Sequence, residues 1–345
     1  MNRPRRILVV RTDRIGDVLL ATPLIRSLRH DFPEAHLAAL VRPYARDVLA
    51  GNPHLDEILV DDATGEHRGA RGFLSQAARL RRHRFDTALL LMPTSRMGWM
   101  LFLAGIPVRI GVGRKFYEVV TGMKTVSRNG YVPLRHEADY CLDLGRAIGA
   151  SGTDLSCEMF LADDERRDAR GKLAAAGARP GDRLVGMHPG SGGSAPNWRP
   201  ERWEELGRTL AARGAARIVL TGGEHEAERL APLRHLGPDV LVDVGGALSL
   251  RELSAVVAEL DVLVSASTGP MHMAAALRVP TVSLFCPLTS CSPDLWGPRG
   301  NRSEIVLPAP DYCSRRCPGD PHVCDFEGGI DVDRVADRVL SLLEE

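Results

Sequence analysis

Short apolar runs in the first half of the chain alternate with segments in which apolar residues recur at helical spacing. Runs of this length and composition are typical of buried strands in parallel sheets. The predicted strands are Arg6–Arg11, His36–Arg42, Glu57–Asp61, Asp86–Met92 and Arg109–Val112. The predicted helices are 18–28, Pro43–Ala50, Phe73–His83, Ser95–Ala104 and His136–Gly149. This alternation predicts a parallel sheet covered by helices, with a loop over the poorly periodic stretch Gly111–Leu134.

The same alternation resumes in the second half after a polar segment, Asp163–Asp182, whose Gly and Pro residues at 177–181 mark a break. The predicted strands here are Arg183–Met187, Arg217–Thr221, 240–243, Asp261–Val264 and Val279–Phe285. The predicted helices are Pro200–Arg213, 226–236, 249–259, Met271–Leu277 and 331–344. We therefore predict two α/β domains, 1–165 and 166–345, with the last helix as a candidate to pack back on the first domain.

Ligands of parallel α/β domains bind at the carboxyl ends of the strands. Each predicted domain carries a glycine-bearing loop after its first strand, at 12–17 in the first domain and at 189–195 in the second. We therefore expect a cleft between the two domains, with both loops facing it.

The composition is that of a soluble globular protein, with 44% hydrophobic and 26% charged residues. No apolar run is long enough to span a bilayer, and the first residues lack the features of a signal peptide, so we expect a cytoplasmic protein. The seven cysteines are an odd number spread through the chain and do not indicate a disulfide framework. Because no amphipathic anchor is evident, membrane contact would depend on basic residues alone.

The net charge is zero over the whole chain but is divided unevenly along it. Residues 1–160 carry 23 Lys and Arg against 17 Asp and Glu, a net charge of +6, whereas residues 161–345 carry 21 against 27, a net charge of −6. An Arg-rich first half indicates an anionic partner such as a phosphorylated lipid, a membrane face or nucleic acid. The alternative is a general preference for Arg, since only three lysines occur. The neutral total and the 5% aromatic content disfavour nucleic acid.

The stretch Ser265–Pro287 has the pattern of a polar turn, a short Ala-rich helix and a buried strand. Pro270 stands just inside the predicted start of the helix. The backbone N–H groups of Ser267, Thr268 and Gly269 would gather at that helix N-terminus, where the helix dipole favours an anion such as phosphate. The alternative is an ordinary strand-to-helix connection with a good cap.

Gly16 and Asp17 end the polar loop after the first predicted strand. A carboxylate at the start of a helix that faces a ligand can accept a proton from a sugar hydroxyl. Asp17 is therefore a candidate general base, and Asp13 is a rival for the same role. Capping of the helix and matching of its dipole are the alternative roles for Asp17.

A Gly- and Ser-rich loop, Pro189–Ala195, would let the backbone approach a ligand closely. It matches neither the GxGxxG pattern nor a Walker loop, so dinucleotide binding and ATP hydrolysis lose support. Glu224 and Glu226 follow a predicted strand and two glycines, a place where an acid can bind ribose hydroxyls. A solvated helix start explains these two acids equally well.

Five motifs occur in order: GDVLLATPLIRSLR at 16–29, HPGSGG with NW at 188–198, TGG at 221–223, STGPMHMAAAL at 267–277 and WGP at 296–298. With this set the chain resembles glycosyltransferase family 9, the heptosyltransferase family of lipopolysaccharide assembly. The resemblance implies a GT-B fold, which consists of two Rossmann-like doubly wound parallel-sheet domains facing a cleft. It also implies inverting, metal-independent transfer of a heptose from ADP-heptose to a lipid A–core acceptor.

The resemblance also implies roles for single residues, with Asp17 as the general base toward the acceptor hydroxyl. Thr268 and Gly269 would bind the donor pyrophosphate through backbone N–H groups, and Glu226 would bind the donor ribose. The full set of implied donor-binding residues is Ser191, Gly192, Gly193, Glu226, Ser267, Thr268, Gly269 and His272. No cofactor or metal is implied. The expected partners are a nucleotide sugar and a lipid-linked anionic glycan, with peripheral contact at the inner face of the inner membrane and no nucleic acid or obligate protein partner.

Two positions depart from the family pattern, both on the donor side. Family members usually carry Lys two positions before the Trp that ends the HPGSGG loop, where this chain has Pro196, and Asp before Thr-Gly, where it has Ser267. Arg199 and Arg14 are candidates for the missing positive charge. One rival function is therefore a GT-B transferase that uses another nucleotide sugar, for O-antigen, capsule or another glycan. A second rival is a sugar-nucleotide-binding protein without turnover.

Cys313, Cys317 and Cys324, together with His322, offer the ligand atoms that zinc prefers. Their spacing lacks the usual CxxC pairs. Reduced cysteines in an ordered loop are therefore the favoured interpretation of this cluster.

Overall fold

The computed structural model of the protein describes residues 3–113, 115–193, 195–214, 216–246, 248–320 and 323–344. The chain folds as two compact units, Met1–Phe160 and Leu161–Glu345. Each unit contains an open parallel sheet whose strands are connected by helices.

The first unit is built around a sheet of short buried strands. These strands are β1 (Arg6–Val10), β2 (His36–Val41), β3 (Glu57–Val60), β4 (Thr87–Leu90), β5 (Val108–Val112) and β6 (Lys124–Val126). All pair in parallel, in the order β3-β2-β1-β4-β5-β6. The prediction of a parallel sheet from continuous apolar runs is thus confirmed, since strands covered on both faces need apolar residues at every position.

Helices connect these strands and cover the sheet. The α-helices in the described part of the first unit are α1 (Ile15–Leu19), α2 (Thr22–Asp31), α3 (Gly69–His83), α4 (Ser95–Leu103), α5 (Phe116–Val120) and α6 (Glu137–Arg146). Alternate residues of β1, β2 and β4, such as Leu8 and Val10, pack in one core with residues of α3, α4 and α5. Ile7 and Val9 point to the opposite face of the sheet and are equally buried. Helices α2 and α6 contact each other.

Three predictions for the first unit are wrong in detail. The single helix expected at 18–28 is divided between α1 and α2. The expected loop Gly111–Leu134 contains the end of β5, all of α5 and β6. Because α5 has five residues and buries only two of them, it is too short to show helical periodicity in the sequence. The helix expected at Pro43–Ala50 is a 3₁₀ helix, Pro43–Leu49.

The second unit repeats the architecture of the first. Its strands are β7 (Leu184–His188), β8 (Arg217–Leu220), β9 (Leu241–Asp243), β10 (Val262–Ala266), β11 (Thr281–Leu284) and β12 (Ser303–Val306). They pair in parallel in the order β12-β11-β10-β7-β8-β9. The large buried residues Trp198 and Trp203 belong to its core and lie edge to face, with ring centroids 5.4 Å apart.

The α-helices in the described part of the second unit are α7 (Asp163–Ala175), α8 (Pro200–Ala212), α9 (Ala227–Leu230), α10 (Leu250–Val257), α11 (Gly269–Ala276), α12 (Pro293–Trp296), α13 (Tyr312–Arg316) and α14 (Val332–Glu344). The last of these, α14, packs against α8, β10 and β11 of the same unit. Every helix in the described residues falls short of the length or apolar content that a membrane span requires.

Three features of the second unit differ from the sequence-based expectation. The polar stretch after 163 forms α7, which buries only Ala169 and Leu173 and therefore carries little apolar pattern. The single helix expected at 226–236 is a short 3₁₀ turn, α9 and a second 3₁₀ segment that begins at Pro232, because proline cannot donate the next helical hydrogen bond. The edge strand β12 and the short helices α12 and α13 were not predicted.

Candidate functional site

In the first unit, an arginine and two acids occupy the loop that leaves the carboxyl end of β1. Arg11 directly follows the strand and is 3% exposed. Asp13 lies in the loop, and Asp17 lies in the first turn of α1, where a negative charge matches the helix dipole. Arg14, the residue before α1, is exposed.

Arg11 binds three carboxylates at once. Its Nε donates to Asp13 Oδ1 at 3.0 Å, its Nη2 to Asp17 Oδ1 at 2.7 Å, and its Nη1 to Glu137 Oε1 at 2.9 Å. The side chains of Arg11 and Glu137 are almost fully buried, whereas those of Asp13 and Asp17 are 14% and 17% exposed. Each aspartate is therefore anchored by a buried cation and still reaches the surface.

Glu137, the first residue of α6, fixes the arginine in turn. Its carboxylate also accepts from Arg128, with Oε2 2.8 Å from Nη1 and Oε1 2.9 Å from Nη2. The Arg128 guanidinium lies over the ring of Tyr140, 5.0 Å from its centroid. Sequence reasoning missed Glu137 and Arg11. Their sequence separation of 126 leaves no local signal, and only the packing of α6 near the end of β1 brings them together.

Burial perturbs the titration of this loop. It raises the pKa of Asp13 to about 6; the neighbouring Asp17 carboxylate acts in the same direction, and Arg11 opposes both. Burial by itself would lower the pKa of Arg11, but the surrounding carboxylates raise it well above its usual value. The guanidinium therefore stays charged. Asp13, by contrast, can change its protonation state near neutral pH.

Replacing Asp13 by asparagine should increase the free energy of unfolding above pH 6. The folded pKa of Asp13, about 6, exceeds the unfolded value of about 4. The folded state therefore binds more protons between these values, and stability falls as pH rises through the window. We expect Asp13→Asn to gain on the order of 2 kcal/mol at about pH 7.5 and little at about pH 4, measured by urea unfolding. An equal change at both pH values would contradict this assignment.

In the second unit, β10 leads into the turn at Ser267–Gly269 and then into α11. The N–H of Ser267 donates to the carbonyl of Leu284 at 3.2 Å, so it is not available for an anion. Thr268, at the N-cap, has an extended backbone, and in the described part of the chain the N–H groups of Thr268 and Gly269 have no protein acceptor. His272 lies one turn into the helix and is buried. The turn thus offers two of the three expected N–H donors.

The Gly- and Ser-rich loop follows β7, the neighbour of β10 in the sheet. Ser265 pairs in register with His188, so the loop and the Thr268 turn leave the same edge of the sheet. Gly192 and Gly193 have φ angles of 52° and 67°, a left-handed backbone that favours glycine. Asn197 closes the loop by donating from Nδ2 to the carbonyl of Pro189.

A cavity of about 690 Å³ lies beside this loop. Its lining includes Ser191, Gly192, Gly193, Glu226, Arg199 and Arg229. Four of these residues are predicted donor-binding residues, and Arg199 is a predicted candidate for the positive charge near the donor. The structure adds Arg229 to this group. The Thr268 turn and His272 do not line the cavity itself but leave the same edge of the sheet.

Glu226 is held in place within this cavity. Its Oε2 accepts from the N–H of Gly223 at 2.8 Å and lies 3.7 Å from His188 Nε2. A Cβ at Gly190 would lie 1.8 Å from Glu226 Oε1, so any other residue there would displace the carboxylate from this position. Burial lowers the pKa of His188, and its Nδ1 bonds Thr221 Oγ1 at 3.0 Å. These contacts place His188 beside Glu226, where it helps to shape the site.

Arg229 is a cation of this cavity that sequence reasoning missed. It lies on α9, and its Nη1 is 3.5 Å from the carbonyl oxygen of Trp198 at the end of the loop. Arg199 is largely exposed, and its Nε binds Asp325 Oδ2 at 2.6 Å. Pro196, at the position where lysine was expected, is buried. A positive charge near the loop therefore comes from Arg229 on α9, and the spacing of residues within the loop does not reveal it.

Cys313, Cys317 and Cys324 are free thiols of intermediate exposure. Within the described residues, no group of three or more His, Cys, Asp or Glu side chains is arranged to hold a metal ion. His322, the fourth member of the predicted cluster, lies outside the described residues.

Comparison with known proteins adds a family and close structural neighbours. The model of glycosyltransferase family 9 (heptosyltransferase) matches residues 73–317. Lipopolysaccharide heptosyltransferase 2 of Escherichia coli is 26% identical over 314 residues, 87% of each chain.

Two solved structures resemble the whole chain. A family 9 glycosyltransferase from Veillonella parvula has a TM-score of 0.85 at 23% identity, covering 99% of this chain and 97% of that one. The E. coli ADP-heptose lipopolysaccharide heptosyltransferase II has a TM-score of 0.77 at 21% identity, covering 98% of each chain. The predicted α/β fold class, GT-B, is confirmed.

Proposed function

The chain belongs to glycosyltransferase family 9, the heptosyltransferase family, and we propose that it transfers a heptose from ADP-heptose to the core of lipopolysaccharide. The names of the E. coli relative and of the E. coli structural neighbour support this donor and this acceptor. In this chain, the observation that carries the proposal is the carboxylate of Asp17, which a buried guanidinium holds at the ligand-binding edge of the first sheet.

The proposed reaction is a single displacement with inversion at the anomeric carbon. The acceptor hydroxyl oxygen attacks that carbon, its proton passes to the carboxylate of Asp17, and the bond from the anomeric carbon to the ADP oxygen breaks. ADP leaves with the electron pair of that bond. Arg11 occupies Asp17 Oδ1, and Oδ2 has no protein partner in the described part of the chain. We assign Oδ2 as the atom that takes the proton.

The second unit supplies the groups for the donor. The N–H groups of Thr268 and Gly269 would bind the diphosphate at the N-terminus of α11, where fixed dipoles stabilise the negative charge that develops on the leaving group. Glu226 would accept hydrogen bonds from the ribose hydroxyls. Arg229 would supply the positive charge that Pro196 cannot, and the glycines beside the cavity would let the loop backbone approach the phosphates.

The departures at Pro196 and Ser267 favour a second candidate within the same reaction class, a transferase for another nucleotide sugar. Each removes a charge that the family pattern places near the donor, so the base or the sugar could differ. A lipid-linked acceptor would bring either enzyme to the inner face of the inner membrane.

A test of the donor separates these candidates. Calorimetry with ADP, UDP and GDP should show the tightest binding for ADP, and mass spectrometry with ADP-heptose and a lipid A–core acceptor should show the mass of one added heptose. Tighter binding of UDP or GDP would favour the other nucleotide sugar. Binding of ADP-heptose without turnover on any acceptor would instead indicate a binding protein.

A further inference from the structure

The first unit exposes apolar side chains on α5 that the transfer reaction does not use. Phe116, Val119 and Val120 are 83%, 74% and 51% exposed. Their spacing of i, i+3 and i+4 places them on one side of the helix. Tyr117 and Glu118 are buried and attach the opposite side to the unit. A helix at the surface of a soluble protein normally buries its apolar side, so α5 has the reverse arrangement.

Phe102 and Leu103, at the end of α4, extend this apolar region and are each 43% exposed. Arg109 connects the two helices: its guanidinium lies 5.5 Å from the Phe102 ring centroid, and its Nη2 donates to the carbonyl of Thr121 at the end of α5. A Cβ at Gly98 would lie 2.2 Å from the ring of Tyr117, which shows how closely α4 and α5 pack. The exposed side chains Phe102, Leu103, Phe116, Val119 and Val120 are called the α4–α5 surface below.

The stretch that contains this surface is strongly basic. Residues 68–128 carry 12 Lys and Arg against two acids, a net charge of +10, whereas the rest of residues 1–160 has a net charge of −4. Two of these arginines, Arg96 and Arg128, pair with acids outside the stretch, and the others still leave it basic. Both acids are bound to the backbone: Asp86 accepts from the N–H groups of Arg5 and Arg6, and Glu118 accepts from the N–H of Lys115. Lys115 and Lys124, on either side of α5, are exposed.

We propose that the α4–α5 surface and its flanking lysines dock the protein on a bilayer that contains anionic lipid. Exposed aromatic and aliphatic side chains can enter the boundary between headgroups and acyl chains, while basic residues bind the headgroup phosphates. Contact between two copies fits less well. It would bring like charges together, which costs free energy at an interface. Docking goes beyond the transfer reaction and can be measured without any donor.

Flotation of the full chain with vesicles tests this proposal. We expect binding to phosphatidylcholine vesicles that contain phosphatidylglycerol, and little binding to phosphatidylcholine alone. Each basic residue near an anionic surface contributes roughly fivefold to partitioning, so Lys115→Gln with Lys124→Gln should weaken binding roughly twenty-fivefold. Phe116→Ser with Val119→Ser, which leaves the charge unchanged, should weaken it about tenfold or more.

Matched controls lie in the second unit. Arg167→Gln with Arg183→Gln removes the same charge from exposed positions, and Leu288→Ser removes an exposed apolar side chain; neither should alter vesicle binding. Unchanged circular dichroism would show that the surface variants fold. Equal binding to both vesicle types, or equal losses in variants and controls, would overturn the proposal. Binding to duplex DNA without vesicle binding would also overturn it. So would a protein that binds no vesicles but forms dimers which the Phe116→Ser substitution converts to monomers.

Discussion

Replacing Asp17 by asparagine should lower kcat roughly 10²- to 10⁴-fold, the usual contribution of a positioned general base. The amide keeps the size of the side chain and can still accept from Arg11 Nη2, so the loop should keep its structure. ADP binding should change little, because the groups proposed for the donor lie in the other unit. Kinetics with ADP-heptose and a lipid A–core acceptor, together with calorimetry for ADP, measure both quantities.

Asp13→Asn is the matched control for this experiment. Asp13 binds the same guanidinium, lies in the same loop and was a rival for the same role. If Asp17 is the base, the Asp13 variant should keep most of the activity. Loss of activity in the Asp13 variant with near-normal turnover in the Asp17 variant would transfer the assignment to Asp13. Its pKa of about 6 would suit a base near neutral pH.

Among the substitutions proposed here, replacing Glu137 by glutamine should cause the largest decrease in the free energy of unfolding. The carboxylate forms ion pairs with two guanidinium groups, Arg11 and Arg128, at a position that is 2% exposed. Removing one partner of a buried ion pair leaves uncompensated charge and costs on the order of 3–5 kcal/mol. The new amide N–H₂ would also point a donor at guanidinium donors. Thermal unfolding should show a midpoint lower by roughly 6–20 °C for a unit of this size.

Asp139, two residues further along α6, provides the control for Glu137. It pairs with Arg135 and Arg146 near the surface, where ion pairs are worth about 0–1 kcal/mol. Asp139→Asn should therefore shift the midpoint little. Similar shifts for both variants would mean that burial of the Arg11–Glu137 pair does not determine its contribution.

The sequence identified most of the fold because parallel strands are buried on both faces and stand out as apolar runs, as at RILVV in β1. It failed where few residues of an element contact the core. Helix α7 buries only Ala169 and Leu173, and α5 has five residues. Such elements are held by tertiary contacts that leave almost no periodic pattern.

The candidate site divides in the same way. Asp17 and the Thr268 turn could be proposed from sequence because a polar loop between a buried strand and a helix is a local pattern. Arg11, Glu137 and Arg229 could not. Arg11 and Glu137 bind each other at 2.9 Å, and Arg229 lies 3.5 Å from the carbonyl oxygen of Trp198. The partners in each pair are distant in sequence, so only the packed structure brings them together.

By itself, the sequence determined the two parallel-sheet units, the family and the loops at the strand ends, because each depends on residue order and local periodicity. The tertiary structure alone decided that one buried guanidinium binds Asp13, Asp17 and Glu137. It also decided that the N–H of Ser267 donates to the carbonyl of Leu284 and that the apolar side of α5 is exposed to solvent. Charge pairing, hydrogen bonding and exposure depend on which distant segments of the chain come into contact. A contact between residues far apart in sequence produces no periodic pattern by which a single sequence could reveal it.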